Sequence, residues 1–170
     1  MASILKVNTI QDATNSNTAI SVDTAGRILT PARPSFYATK TDAQTISGNT
    51  QTDIIMNSAI TNVGSCYDTS NGLFTAPITG IYYIHAQWAG VVANDNRYFN
   101  CYVQDQSDTK VLVGRHHTNT TSGTTYGTSH TSGVVSLSSG NTLKVRVEVE
   151  NSMALYVGDR GNCFTGYLIG

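Results

Sequence analysis

"NGLFTAPITGIYYIHAQW", residues 71–88, is the stretch on which the reading of this chain turns. Its second half alternates: Tyr82, Ile84, Ala86 and Trp88 fall on one side of an extended strand, and Ile81, Tyr83, His85 and Gln87 on the other. Both sides carry bulk, so one side belongs to the strand's own core and the other calls for a second cover. The first half places Phe74, Pro77 and Gly80 close together. Gly80 is expected to give a corner its backbone freedom, and Pro77 to end an edge segment. Such spacing suits a catalytic site, a binding surface or the corner of a β structure, and the flanking sequence has to decide between them.

Outward from this stretch, short apolar runs alternate with Gly, Asn, Asp and Ser turns. In "LKVRVEVE", Leu143, Val145, Val147 and Val149 share one face, and Lys144, Arg146, Glu148 and Glu150 the other, the mark of a half-buried antiparallel strand. "SFYATK", "DIIMNS", "RYFNCYVQ", "KVLVGRH", "SGVVSLS" and "CFTGYLI" read as further strands, separated by "TSNG", "ANDN", "DQSD", "SSGN" and "GDRGN".

The 170 residues fit one domain with a short appended segment, and suffice for a self-supporting core. Only 12% are charged, and the formal net charge is -1, with no basic stripe to meet a phosphate backbone or an anionic membrane. Nucleic-acid binding and membrane insertion are therefore not expected. The opening residues carry no charged leader before a long apolar run, so neither Sec export nor a membrane span is expected. Cys66, Cys101 and Cys163 lie far apart without a C-x-x-C spacing, which suits buried thiols better than a disulfide framework or a zinc site.

The first 33 residues differ in character. "LKVNTI", "AISVD" and the pair Ile28 and Leu29 are short pieces joined by polar turns, with too few apolar residues to form a core. Pro31 and Pro34 stiffen the junction, which places an N-terminal segment at 1–33 and a head at 34–170.

By spacing, Asn62, Tyr67, Phe74, Gly80 and Tyr82 resemble the signature of the complement C1q globular-head family: an aromatic, Asn or Asp, an aromatic, Phe, then Gly-x-Tyr-x-Phe-x-aromatic. Met56, Ile84 and Ala86 stand where that pattern has aromatics, so the core is expected to be smaller at those layers. "RPSFYATKT", "SGVVSLSSGNTLKVRVEVEN" and "FTGYLIG" are similar to the family's opening strand, penultimate hairpin and closing strand, and extend the likeness over residues 33–170. The resemblance implies an all-β fold, an antiparallel ten-stranded jelly-roll sandwich of the C1q and tumour-necrosis-factor type, assembled as a homotrimer. Phe74, Gly80 and Tyr82 then become core and corner positions, and Tyr83, His85 and Gln87, with Tyr37 and Tyr167, the expected trimer interface.

The N-terminal piece resembles the opening of many virion proteins of tailed bacteriophages, where an "LKVxTI" start precedes fibre, tail or head-decoration modules. The implied partners are capsid or tail proteins, met through Leu5, Val7, Ile10, Ile20, Val22 and Ile28, and the implied localisation is the virion. The expected function is a trimeric virion structural protein whose head projects for adhesion to a host-surface glycan or protein, or for stabilisation. The alternative is a soluble receptor-binding trimer of the C1q or tumour-necrosis-factor kind.

No catalytic grouping is legible: Gly-x-Ser-x-Gly, His-Glu-x-x-His and a phosphate loop are all missing, so no enzyme and no cofactor are expected. His116 and His117 are adjacent, and neighbours on a strand point to opposite faces, so they do not share a metal ion. Asn94, Asp95, Asn96 and Arg97, together with Arg115 and His116, are the ligand-binding candidates, although one carboxylate per loop is weak ligation for calcium and the turn reading leads. Asp159 beside Arg160 is read the same way, and "NTT" at 119–121 matches a glycosylation acceptor. Tyr98, Tyr102 and Tyr126 are expected at the surface, where they suit recognition or serve as ordinary β-surface residues.

Overall fold

The structure, a computed structural model, describes residues 6–93, 98–117, 124–157 and 161–170. The chain divides into two compact units, residues 1–33 and 34–170.

The first unit is a three-stranded antiparallel sheet of β1 (Thr9–Gln11), β2 (Thr18–Val22) and β3 (Ile28–Leu29). Its turns are set by aspartates that accept hydrogen bonds from amides just downstream: Asp12 Oδ1 from Thr14 and Asn15, Asp23 Oδ1 from Ala25 and Arg27. Val7, Ile10, Val22, Ile28 and Leu29 are exposed, and Ile20 is half-buried. Leu5 lies outside the described residues.

The second unit is the all-β, antiparallel jelly roll expected from the sequence, and no helix occurs among its described residues. Its strands are β4 (Ser35–Thr39), β5 (Thr45–Ile46), β6 (Thr52–Ile54), β7 (Ser58–Val63), β8 (Tyr67–Asp68), β9 (Leu73–Thr75), β10 (Gly80–Ala93), β11 (Tyr98–Asp105), β12 (Lys110–His117), β13 (Thr124–Leu137), β14 (Thr142–Val149), β15 (Met153–Leu155) and β16 (Cys163–Leu168). The count runs past ten because several elements are edge pieces of two or three residues. "DIIMNS" is one such place: it divides between β6 and β7 at residues 55–57.

One sheet runs β5-β15-β10-β16-β4-β7, with β13 along the other side of β10. The second runs β12-β11-β14-β9-β8, with β6 on β14. Between them lies one core. Every second residue of β14 enters it (Leu143, Val145, Val147, Val149), as do Tyr82, Ile84, Ala86 and Trp88 of β10. Each such large side chain contributes roughly 1.5 to 3 kcal/mol by leaving water.

The quoted stretch sits at the core's aromatic end. Phe36 stacks on Phe74 and Tyr67 at centroid distances of 4.9 and 5.1 Å, and Tyr82 meets Phe74 edge-on at 5.5 Å. Buried hydroxyls there are satisfied: Tyr82 donates to Ile78 O at 2.7 Å, and Tyr67 donates to Met56 O at 3.1 Å. Asn62 works differently from its aromatic companions. It is exposed, and its amide donates to Tyr67 O (2.8 Å) and accepts from Tyr67 N (3.1 Å), closing the turn that carries Gly64 and Ser65 at positive φ.

Two expectations are corrected. Gly80 has an ordinary φ, and what demands glycine is space: a Cβ would lie 2.7 Å from Leu168 Cδ1 and 3.0 Å from Gly170 O. Tyr102 is buried, 2% exposed, although it lies on the outward side of β11. Its hydroxyl donates to Glu148 Oε2 at 3.0 Å, Lys110 Nζ sits 3.9 Å from its ring centre, and burial first, then that carboxylate, push its pKa up to about 12. The alternation placed it on the solvent side, but neighbouring polar side chains roof it over.

Candidate functional site

The outward face of β10 and its neighbours holds the sequence-designated residues Tyr83, His85, Gln87, Tyr37 and Tyr167 together. Register explains how. Tyr83 is level with Val134 of β13 and Tyr167 of β16; His85 with Ser132 and Thr165; Gln87 with His130 and Cys163. One strand further, Tyr167 is level with Ser35, and Thr165 with Tyr37. Successive levels therefore grade from apolar to polar.

The apolar end consists of Ile81, Tyr83, Val134 and Tyr167. Tyr83 and Tyr167 pack ring to ring at 5.4 Å, while Val134 is 62% exposed and Ile81 and Tyr167 are each 46% exposed. Ile81 and Val134 are additions to the sequence-designated set. The alternation of "SGVVSLS" was the signal for Val134, since Val135 and Leu137 take the core side.

Further along, His85 and His130 stand diagonally across the β10–β13 pair with ring centres 6.4 Å apart. Partial burial, and then the neighbouring His130, hold the His85 imidazole below the usual histidine value. Thr165 turns its hydroxyl back to Phe36 O at 2.7 Å, and Gln87 Nε2 donates to Gly161 O at 3.2 Å. Among the described residues no ion pair lies on this face.

Arg115 and His116 are elsewhere. They sit on β12 where it crosses the edge of β13, so closely that a Cβ on Gly114 would come within 1.8 Å of His130 O. With Thr128, Ser129 and His130 they line a cleft of about 250 Å³. Asn94, Asp95, Asn96 and Arg97, as well as Asp159, Arg160, residues 119–121 and the side chain of Tyr126, lie outside the described residues. Cys66, Cys101 and Cys163 are free and buried, and burial pushes each thiol up, away from reactivity. No group of three His, Cys, Asp or Glu side chains stands within reach of one ion among the described residues, and no helix is long and apolar enough to cross a membrane.

The sequence model of the C1q domain matches residues 35–169. The chain belongs to the C1q domain family. Solved structures share the C1q-type fold at low identity. The globular domain of zebrafish complement 1qA matches at TM-score 0.59 and 13% identity, over 81% of this chain and 98% of that one. Murine APRIL, solved at pH 8.0, matches at TM-score 0.63 and 12% identity, over 81% and 99%. Eiger TNF from S. frugiperda matches at 0.65 and 10%, over 82% and 94%. A comparison with curated proteins finds no match. Within the C1q domain the β10 part of the quoted stretch, residues 81–88, divides by parity: even positions build the core, and odd positions build the outward face.

Proposed function

We propose that this chain is a homotrimeric structural protein of a tailed-bacteriophage virion, in which residues 1–33 attach to capsid or tail and the C1q-type head projects outward for adhesion or stabilisation. The observation that carries the trimer is the open apolar band of Ile81, Val134 and Tyr167 beside the half-buried Tyr83, on a face with no ion pair among the described residues. Such a patch is costly to leave in water and suits a like patch on another copy. The phage setting is supported by the likeness of the "LKVxTI" opening to virion proteins. Ile10, Val22, Ile28 and Leu29, exposed apolar side chains on short strands, and the exposed Val7 just before β1 suit it too, since a partner sheet can cover them. In this reading binding is the head's work and chemistry is not. Three copies on one axis turn weak single contacts into firm attachment.

Purified particles test the proposal. The chain is expected to co-sediment with virions at a copy number divisible by three, and deletion of residues 2–30 is expected to leave a soluble trimer that no longer joins the particle. A chain recovered only free of particles, binding a receptor as a soluble trimer, would replace this reading with the cytokine-like one.

A further inference from the structure

We propose that the cleft around Lys40 is a binding site for a neutral saccharide, engaged through adjacent hydroxyls. The cleft, about 360 Å³, forms where the β4–β5 connection meets the β6–β7 connection and the turn after β8. Its floor is a buried ammonium: the Lys40 side chain is 4% exposed, and Nζ donates to Asp42 Oδ1 at 2.8 Å and to Ile55 O at 3.3 Å. An ammonium has three N–H donors, so one is left uncommitted. Asp42 is 61% exposed and holds acceptor capacity beyond the Lys40 bond. A free donor and a free acceptor thus stand side by side, fixed by their mutual bond.

The surrounding side chains are oriented in the same manner. Asn57 Oδ1 is spent on the amide and hydroxyl of Thr41, at 2.9 and 3.2 Å, which leaves its NH₂ to donate. Gln44 Nε2 donates to Asp53 O at 2.9 Å, which leaves its Oε1 to accept. Thr69 lines the cleft and its hydroxyl has no hydrogen-bond partner among the described residues. The cleft is thus lined by both donors and acceptors, and a hydroxyl is the ligand group that both gives and takes at one atom.

Other ligand classes fit less well. Asp42 already answers the Lys40 charge, so a small anion finds no net attraction. A cation meets one carboxylate with an ammonium 2.8 Å away. A peptide anchored by an apolar side chain finds only Ala43 and Ile55 to cover it.

The site rests on the adhesive side of the proposed function. The test takes the full-length chain to a printed array of neutral and acidic oligosaccharides, followed by saturation-transfer NMR with the saccharides retained. Binding to neutral saccharides is expected. The double variant Lys40→Met with Asp42→Asn, which removes both charges together, is expected to weaken it at least about tenfold, because hydrogen bonds to charged groups are the strong ones. Thr69→Val is expected to weaken it about threefold. Asn57→Asp keeps the bonds to Thr41, replaces the free donor by an acceptor and leaves the Lys40 hydrogen bonds to Asp42 and Ile55 in place, so it tests the site without removing the buried lysine. No neutral saccharide retained, retention of acidic ones alone, or binding unchanged in Asn57→Asp and Thr69→Val would overturn the site. A chain that fails on the array yet assembles into particles would remove the saccharide site and leave the assembly reading standing.

Discussion

The two outer faces of the sandwich are built on opposite principles. On the second sheet, Arg146 and Lys144 of β14 pair with Asp53 of β6 and Asp108 of the β11–β12 turn, and Glu148 takes the buried Tyr102 hydroxyl. Gln104 donates to Gln51 Oε1 at 2.9 Å and accepts from Arg146. The charged groups of that face satisfy one another, and among the described residues the apolar area it leaves open is confined to Val111 and Val113 of β12. On the first sheet, the rows through Ile81, Tyr83, Val134 and Tyr167 carry no charge and leave apolar area open. One fold thus presents a face held by internal charge pairing and an uncharged face with a wider open apolar band, and the uncharged one is where a partner belongs.

The core shared by both faces sets the largest expected effect. Phe74→Ala or Tyr82→Ala is expected to cost about 3 to 5 kcal/mol, since each empties a fully packed aromatic position. Chemical denaturation measures it. A variant that melts within a few degrees of the parent would show that the aromatic stack does not hold the sandwich together.

The charged face should be more tolerant. Arg146→Ala removes ion pairs with the partly solvated Asp53 and Asp108 and also the bond to the buried Gln104 amide oxygen, so the expected loss is about 1 to 2 kcal/mol, below that of the core variants. A loss as large as that of the core variants would erase the distinction between the faces. The same substitution is expected to leave the oligomeric state unchanged.

On the open face the sharpest small effect is in pH. The folded His85 value lies below the ordinary 6.5, so its contribution is fully present above that pH and declines as pH falls towards the folded value, because the unfolded chain takes up the proton first. Melting is expected to drop by a few degrees between about pH 7.5 and 5.5, and His85→Gln is expected to flatten the slope. An unchanged slope in that variant would place the acid sensitivity elsewhere.

Periodicity made much of this legible. Alternation in 81–88 and 143–150 separated core from surface, because a strand with one buried face cannot slip register without inverting every side chain. What alternation could not show was cover. Tyr102 reads as a surface residue and is 2% exposed, because polar side chains from neighbouring strands close over it; Gln104 on the same side of β11 is 1% exposed for the same reason. The need for Gly80 was visible but its reason was not: the space is taken by the last strand, some ninety residues later. The Lys40 cleft left no trace at all. Lys40, Asn57 and Thr69 are unremarkable polar residues until three connections bring them to one place.

Oligomeric state tests the contrast between the faces most directly. Sedimentation equilibrium on the full-length chain at micromolar concentration should give three times the 18.2 kDa protomer mass. The double variant Tyr83→Lys with Val134→Glu, confined to exposed or half-buried positions, should give a folded monomer. A parent chain that sediments as a monomer, or a double variant that remains trimeric, would contradict the assignment of the uncharged face to the subunit interface.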